Sequence, residues 1–385
     1  MESQIVCFIA DDMFDNTIEY ILQLLNRRLS THYVSFRMRE EYYRPSIPDE
    51  HWVQVMHDIT FFQLFRLKKE TFSKLLDMVV VNDQFCLIKK RYIGGRHPVP
   101  PEKALLVFLW YIAHPDSLHS ISYRFDLVPS TVMNIVNSCL YILVHMKNKI
   151  ICWPKTSEEF EHLENGFTTY PGVIGAIDGS HINIKVPSSQ HDSYVDRYMQ
   201  HSINLMAICS ASHILTYVFV GFPGSAHDSR VFLNSQFFRN IESYGPSIYF
   251  PADKHLLGDS AFPIKPWLMT PYKQNNNLTR EQKYHNQCLS SSRVVIENTF
   301  GILKGRFRKL QFINTYCVAK AIEIVTAACV IHNFCYLNND EWEEDICVLE
   351  ERNFDQENQH NNDRELGKLK RDRIAHELYH NNQIN

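Results

Sequence analysis

No stretch of this 385-residue sequence is apolar from end to end over the length of a bilayer. The longest uninterrupted apolar run, Ala104–Ala113, is ten residues, whereas a spanning helix needs about 20. A transmembrane segment is therefore not expected. A basic leader is lacking too: Met1-Glu2-Ser3-Gln4 carries no cationic n-region, and Asp11-Asp12 interrupts the short apolar stretch behind it. No signal peptide is expected. The ten cysteines, scattered from Cys7 to Cys347, include no CxxC pair. That pattern suits free thiols in a reducing compartment better than a disulfide scaffold. Charged residues are only 21% against 45% hydrophobic, which supports a buried core and excludes wholesale disorder.

The net charge of −4 conceals an asymmetry. Between Phe61 and Ile150 there are 12 Lys and Arg against 6 Asp and Glu, net +6. Between Gly166 and Leu310 the count is 14 against 9, net +5, and between Asn338 and Glu365 it is 2 against 11, net −9. A basic body with an acidic tail fits a polyanion-binding surface, although a modest positive excess is also common in ordinary domains.

Five segments are expected, in a length that suits two or three domains. Residues 1–60 read as an N-terminal helical segment, with an apolar stripe in Asn16–Leu29. Residues 61–155 read as amphipathic helices broken at Gly94-Gly95 and Pro98–Pro101. Residues 166–312 change to short β-branched runs. Val173–Ile177 reads as a strand buried on both faces, and Ile182–Val186 as a second strand behind it. Ile203–Cys209, Leu215–Val220 and His255–Leu257 follow as strands, with helices at Asp228–Ile241 and Val294–Phe307. Together they predict an α/β core, a mixed sheet flanked by helices, preceded by an all-helical region. Residues 313–337 supply a closing helix over Ala319–Tyr336. Its Cys329, His332 and Cys335 resemble a ligand trio, but they sit among apolar neighbours and a structural zinc needs four ligands. Core packing is the preferred reading. Residues 338–385 read as an acidic, solvated linker and a short terminal helix over Leu366–Leu378.

Four acids stand where solvated surface acids usually do not: Asp178 after the run Val173–Ile177, Asp228 in His227-Asp228-Ser229, Asp259 after His255–Leu257, and Glu297 on the helix Val294–Phe307. Acids beside apolar runs are costly to bury unless paired or bound to a cation. At helical spacing Glu297, Lys304 and Arg308 share one stripe beside the apolar stripe Ile296, Phe300, Leu303 and Phe307. A carboxylate within reach of a metal, continued by cations within reach of phosphates, is the layout phosphodiester chemistry needs. Hard Mg²⁺ or Mn²⁺ prefers such oxygen ligands. The bland alternative is that Asp228 caps its helix and that Asp178 and Asp259 accept turn hydrogen bonds.

Five blocks occur in order: Gly175-Ala176-Ile177-Asp178-Gly179-Ser180-His181, Pro223-Gly224-Ser225-Ala226-His227-Asp228-Ser229, Leu257-Gly258-Asp259-Ser260, Ile296-Glu297-Asn298-Thr299-Phe300-Gly301 and Leu303-Lys304-Gly305-Arg306-Phe307. Together they resemble the block set of PIF/Harbinger-type DDE transposases and the nucleases domesticated from them, strongly over Gly172–Leu310. The resemblance implies an RNase H-like catalytic core, a divalent metal cation and cutting and joining of DNA. It assigns Asp178, Asp259 and Glu297 as the catalytic acids and metal ligands, with Asp228 an additional ligand or orienter. The chain departs from the family pattern at Ser180, at Ala261-Phe262 and at Asn298, none of which removes a ligand.

Ahead of that core, Ser120–Phe125, a turn at Asp126–Ser130 and Thr131–Tyr141 read as a helix-turn-helix, with Ser130 as N-cap and Ile121, Phe125, Val128, Val132 and Val136 as its small core. Thr131, Asn134 and Asn137 are left facing outward as DNA-binding candidates, joined by Lys304, Arg306, Arg308 and Lys309 and, against the backbone, by Lys89, Lys90, Arg91 and Arg96. The resemblance further implies DNA as partner, a separate Myb/SANT-like DNA-binding protein and residence in the nucleus, or in the cytoplasm without that partner; it leaves a homo-oligomer open. The competing reading is a domesticated, catalytically silent DNA-binding or scaffold protein.

Overall fold

The computed structural model describes residues 52–81, 99–186, 192–273, 277–342 and 362–384. They belong to one compact unit that begins at Pro48. Asn16–Leu29, Cys7, Cys86, Cys347 and the cations Lys89, Lys90, Arg91 and Arg96 lie outside the described residues.

Five strands form one mixed sheet in the order β3-β2-β1-β4-β5: β1 is Val173–Asn183, β2 Ser202–Cys209, β3 Leu215–Pro223, β4 His255–Leu257 and β5 Leu268–Met269. β1 pairs antiparallel with β2 and β2 antiparallel with β3, whereas β4 lies parallel to β1 and β5 parallel to β4. β1 is longer than the sequence pattern implied. Val173–Ile177 and Ile182–Val186 are not two strands, because the ladder to β2 runs unbroken from Ala176 to Asn183. Gly179 and Ser180 are small enough to stay in the pleat, so Asp178 stands in mid-strand instead of at a strand end. β5, two residues long, gave no pattern to read.

The longer helices are α1 (Asp58–Phe65), α2 (Lys69–Val80), α3 (Pro101–Ala113), α4 (Leu118–Arg124), α5 (Pro129–His145), α6 (Ser157–Asn165), α7 (Asp228–Leu233), α8 (Gln236–Tyr244), α9 (Arg280–Arg306), α10 (Val318–Leu337) and α11 (Asn362–Ile384). The expected single helix over Asp228–Ile241 breaks in two, because the Ser235 hydroxyl accepts from the Phe238 N–H and starts α8. α9 begins much earlier than Val294. Thr279 and Gln282 form a reciprocal capping box, a start signal legible in the sequence.

One apolar core runs from Phe61 and Phe72 in the helical region through Ile203 and Val218 in the sheet to Leu303 in α9 and Val325 in α10. α10 joins the two parts, packing on β3 on one side and on α5 on the other. It is long and apolar enough to cross a membrane, but most of it is buried inside the protein. Cys329, His332 and Cys335 are fully buried there, in keeping with core packing. The His332 Nε2 meets the His213 carbonyl at 2.8 Å, and burial lowers its pKa to about 3. Asn333 next to it completes the entry of β3: its Oδ1 accepts from the Leu215 N–H at 2.8 Å and its Nδ2 donates to the Leu215 carbonyl at 2.7 Å.

Two expectations for residues 338–385 and for the basic stripe fail together. Asp340 does not belong to a solvated linker. It is fully buried against Arg306, itself fully buried at the end of α9. The guanidinium lies 3.5 Å from Asp340 Oδ1, donates to the Asp340 carbonyl at 2.7 Å and sits 5.5 Å from the Trp342 ring centroid. Arg306 is therefore a core residue and not a phosphate contact. Replacing Asp340 with Asn would strand a buried cation, and urea unfolding should register a loss of about 3–5 kcal/mol. A loss below about 1 kcal/mol, the size of a surface pair, would contradict this account.

Candidate active site

Glu297 and Asp178 meet through a residue that the sequence pattern did not single out. Arg293, one helical turn before Glu297 on α9, donates Nη1 to Asp178 Oδ2 at 2.7 Å and Nη2 to Glu297 Oε1. Burial disfavours its charge, but Asp178, Glu297 and Asp259 outweigh burial and raise its pKa. The signal available in the sequence was the spacing alone, since Arg and Glu four apart face each other on a helix. Asp178 is held at its other oxygen, where Oδ1 accepts the Gly179 N–H at 2.9 Å.

Asp259 follows β4, which runs parallel to β1, so it arrives beside Asp178. It is buried, and Oδ1 accepts the Ala261 N–H at 3.0 Å. Burial first, then the charge of Asp178 and more weakly that of Asp228, raise its pKa from 3.8 to about 7 against the pull of Arg293. Asp228 approaches from the other side. Its Oδ1 accepts Asn204 Nδ2 at 2.8 Å and packs so close to Gly179 that an added Cβ would stand 2.1 Å away. Because successive residues of a strand face opposite ways, the face of Gly179 that receives Asp228 is not the face of Asp178. Asp178, Asp259 and Glu297 thus form one group around Arg293, with Asp228 at its back. Asp228 is also the first residue of α7, after the N-cap His227.

The cations divide by burial. Lys304 is half-buried and donates to the His181 carbonyl at 3.0 Å, tying α9 to β1. Arg308 is exposed in a short turn beyond the helix, Arg308–Gln311, so it does not continue the helical stripe of Glu297. Lys309 is buried, 4.6 Å over the Tyr111 ring and 3.4 Å from the Asp116 carbonyl. Together with Arg306, it is taken up by the fold and does not face a ligand.

In the helical region α4 and α5 meet at 101°. Between them Asp126 adopts a positive φ of 48°, which Asp tolerates better than most residues. α5 starts at Pro129, with Val128 and not Ser130 at the N-cap, because proline suits the first helical turn. Val128 is 39% exposed and so lies outside the small core formed by Ile121, Phe125, Val132 and Val136. Asn134 and Asn137 are exposed and Thr131 half-buried.

Residues 177–333 match the family described as DDE superfamily endonuclease. The chain is also similar, over most of its length, to the HARBI1 proteins. It is 27% identical over 329 residues to the human protein HARBI1, covering 82% of this chain and 91% of that one. The Bos taurus HARBI1 is 29% identical over 333 residues, with the same coverage. The Arabidopsis thaliana protein named antagonist of like heterochromatin protein 1 is 25% identical over 323 residues, 78% of each chain. No solved structure matches. The matched stretch holds all four acids and Arg293.

The donor set is the three carboxylates of Asp178, Asp259 and Glu297, which suits a hard divalent cation. The raised pKa of Asp259 supports the same fit: Arg293 alone leaves negative charge uncompensated around it. This has a consequence without metal. From about pH 4 to about pH 7 the folded protein keeps a proton on Asp259 that the unfolded chain has released, so its contribution to stability is lost as pH rises. With EDTA present, Asp259→Asn should gain stability over wild type as pH rises from about 4 to about 7, by up to about 4 kcal/mol. A pH-independent difference in chemical denaturation would contradict this.

Proposed function

We propose that this protein is a divalent-metal-dependent DNA endonuclease of Harbinger transposase type, hydrolysing phosphodiester bonds with Asp178, Asp259 and Glu297. The observation that carries the proposal is their convergence from three elements, β1, the end of β4 and α9, around the cation Arg293. A sheet of three antiparallel strands extended by two parallel ones, with the acids on its central strand and just after its fourth, supports an RNase H-like core. Asp178, Asp259 and Glu297 would hold Mg²⁺ or Mn²⁺, with Asp228 placed behind them as an orienter. Bound there, the cation would activate water and stabilise the leaving 3′ oxygen.

The chain's own groups do the rest. Arg293 offsets the charge of Asp178 and Glu297 and fixes their spacing before any ligand arrives. Lys304 fastens α9 to β1, so that Glu297 keeps its position relative to Asp178. Arg308 is the exposed cation beyond α9 left to meet a phosphate. The 101° crossing of α4 and α5 supports a helix-turn-helix reading, with Asn134, Asn137 and Thr131 presented to DNA. The family resemblance adds a Myb/SANT-like partner and nuclear residence. A second reading, a DNA-binding scaffold that no longer cuts, draws on the relative named for antagonising a heterochromatin protein.

Supercoiled plasmid incubated with the purified protein and Mn²⁺ or Mg²⁺ tests the choice. Metal-dependent nicking is expected, falling by at least about 100-fold in Asp178→Ala and in Glu297→Gln. Nicking retained by both variants would overturn the assignment. Salt-sensitive DNA binding without nicking would favour the scaffold.

A further inference from the structure

Far along α9 from Glu297, a second constellation of ligand-bearing side chains joins its first turn to α11. Glu281 stands on that turn, and His376 and His380 stand four residues apart on α11, so they share one face of it. One ligand atom from each of the three lies within 4.8 Å of the other two. His376 Nδ1 is 3.6 Å from Glu281 Oε1, and the two imidazole centroids are 3.9 Å apart. His380 Nδ1 meets the His376 carbonyl at 3.1 Å. Such a bond fixes the ring and leaves Nε2 for a ligand, the usual outer-shell arrangement of a metal-binding histidine.

We propose that Glu281, His376 and His380 bind a borderline divalent transition metal such as Zn²⁺. Two imidazole nitrogens and one carboxylate suit that class, whereas the all-oxygen group around Asp178 suits Mg²⁺ or Mn²⁺. Tetrahedral zinc ligands stand about 3.3 Å apart; the closest pair here is already near that distance, and the exposed side chains have freedom to close the rest. Water completes the coordination on the open side.

The site acts as a staple for α11. This 23-residue helix buries few large apolar side chains: Ile374 and Ala375 are covered, but Leu366 and Leu369 are 56% and 65% exposed. It is held chiefly by polar ties, among them Tyr272 to Asp372 at 2.6 Å, Lys265 to Asp363 at 2.9 Å and Arg371 to the Thr270 carbonyl at 3.3 Å. Ties of this kind contribute little each when solvent reaches them. A metal bridging α11 to the first turn of α9 adds a link that depends on its concentration.

The experiment uses the full chain carrying Asp178→Asn, which weakens the carboxylate group as a competing site, with Zn²⁺ alone as the probe. Calorimetric titration should find saturable binding, and hydrogen exchange should slow in residues 362–384 on adding Zn²⁺. Adding His380→Ala or Glu281→Gln should weaken binding by more than about tenfold, the effect that even an outer-shell change can have, and should abolish the slowing. Both positions are solvent-accessible, and circular dichroism with His376→Gln as a further variant separates ligand loss from misfolding. Zn²⁺ binding unchanged in the folded variants, or none in the parent, would overturn the site. The result is independent of plasmid nicking.

Discussion

Like charge crowded on the central strand of a sheet and its neighbours is the constraint around which this molecule is arranged. Asp178, Asp259 and Glu297 come together from distant parts of the sequence, and Asp228 adds its charge from behind β1. Burial and, after it, the charge of Asp178 show in Asp259, whose pKa is raised to about 7. Arg293 is the fold's own answer. One guanidinium spans Asp178 and Glu297, and the remaining negative charge is what a divalent cation would neutralise. The rest of the architecture holds these groups in place despite their repulsion.

Two devices do that holding, and both lie at the far end of α9. Lys304 ties the helix to the His181 carbonyl in β1. Arg306 ties it to Asp340 and Trp342 in the segment after α10. A helix of 27 residues anchored this way cannot slide along the sheet, so Glu297 keeps its register with Asp178. α10 extends the same rigidity to the helical region, because its apolar surface packs on β3 and on α5 at once. Cations that look like a phosphate-binding stripe in the sequence are partly consumed by this framing.

Several of the residues that the fold brings together stand out in the sequence. Acids beside apolar runs and on one helix mark out Asp178, Asp228, Asp259 and Glu297, the family resemblance assigns three of them as catalytic, and the strands β2, β3 and β4 are legible nearly to their ends. The misses have physical causes. Arg293 was hidden because a helical Arg four residues from a Glu is usually a solvated pair, and only the sheet brings Asp178 to its other side. Arg306 and Asp340 are 34 positions apart in segments that read as basic and acidic surface, and burial of such a pair depends on tertiary packing that no local pattern encodes. β1 was split in two because Gly179 and Ser180 resemble a turn, whereas Gly179 is needed for the close approach of Asp228.

The central claim is that the carboxylates bind a divalent cation as one group. Calorimetric titration of Mn²⁺ into the wild type, Asp178→Asn and Glu297→Gln tests it without reliance on DNA or on turnover. Saturable Mn²⁺ binding that Mg²⁺ displaces, weakened at least about tenfold in both variants, is the predicted result. Equal binding by all three proteins would contradict the account.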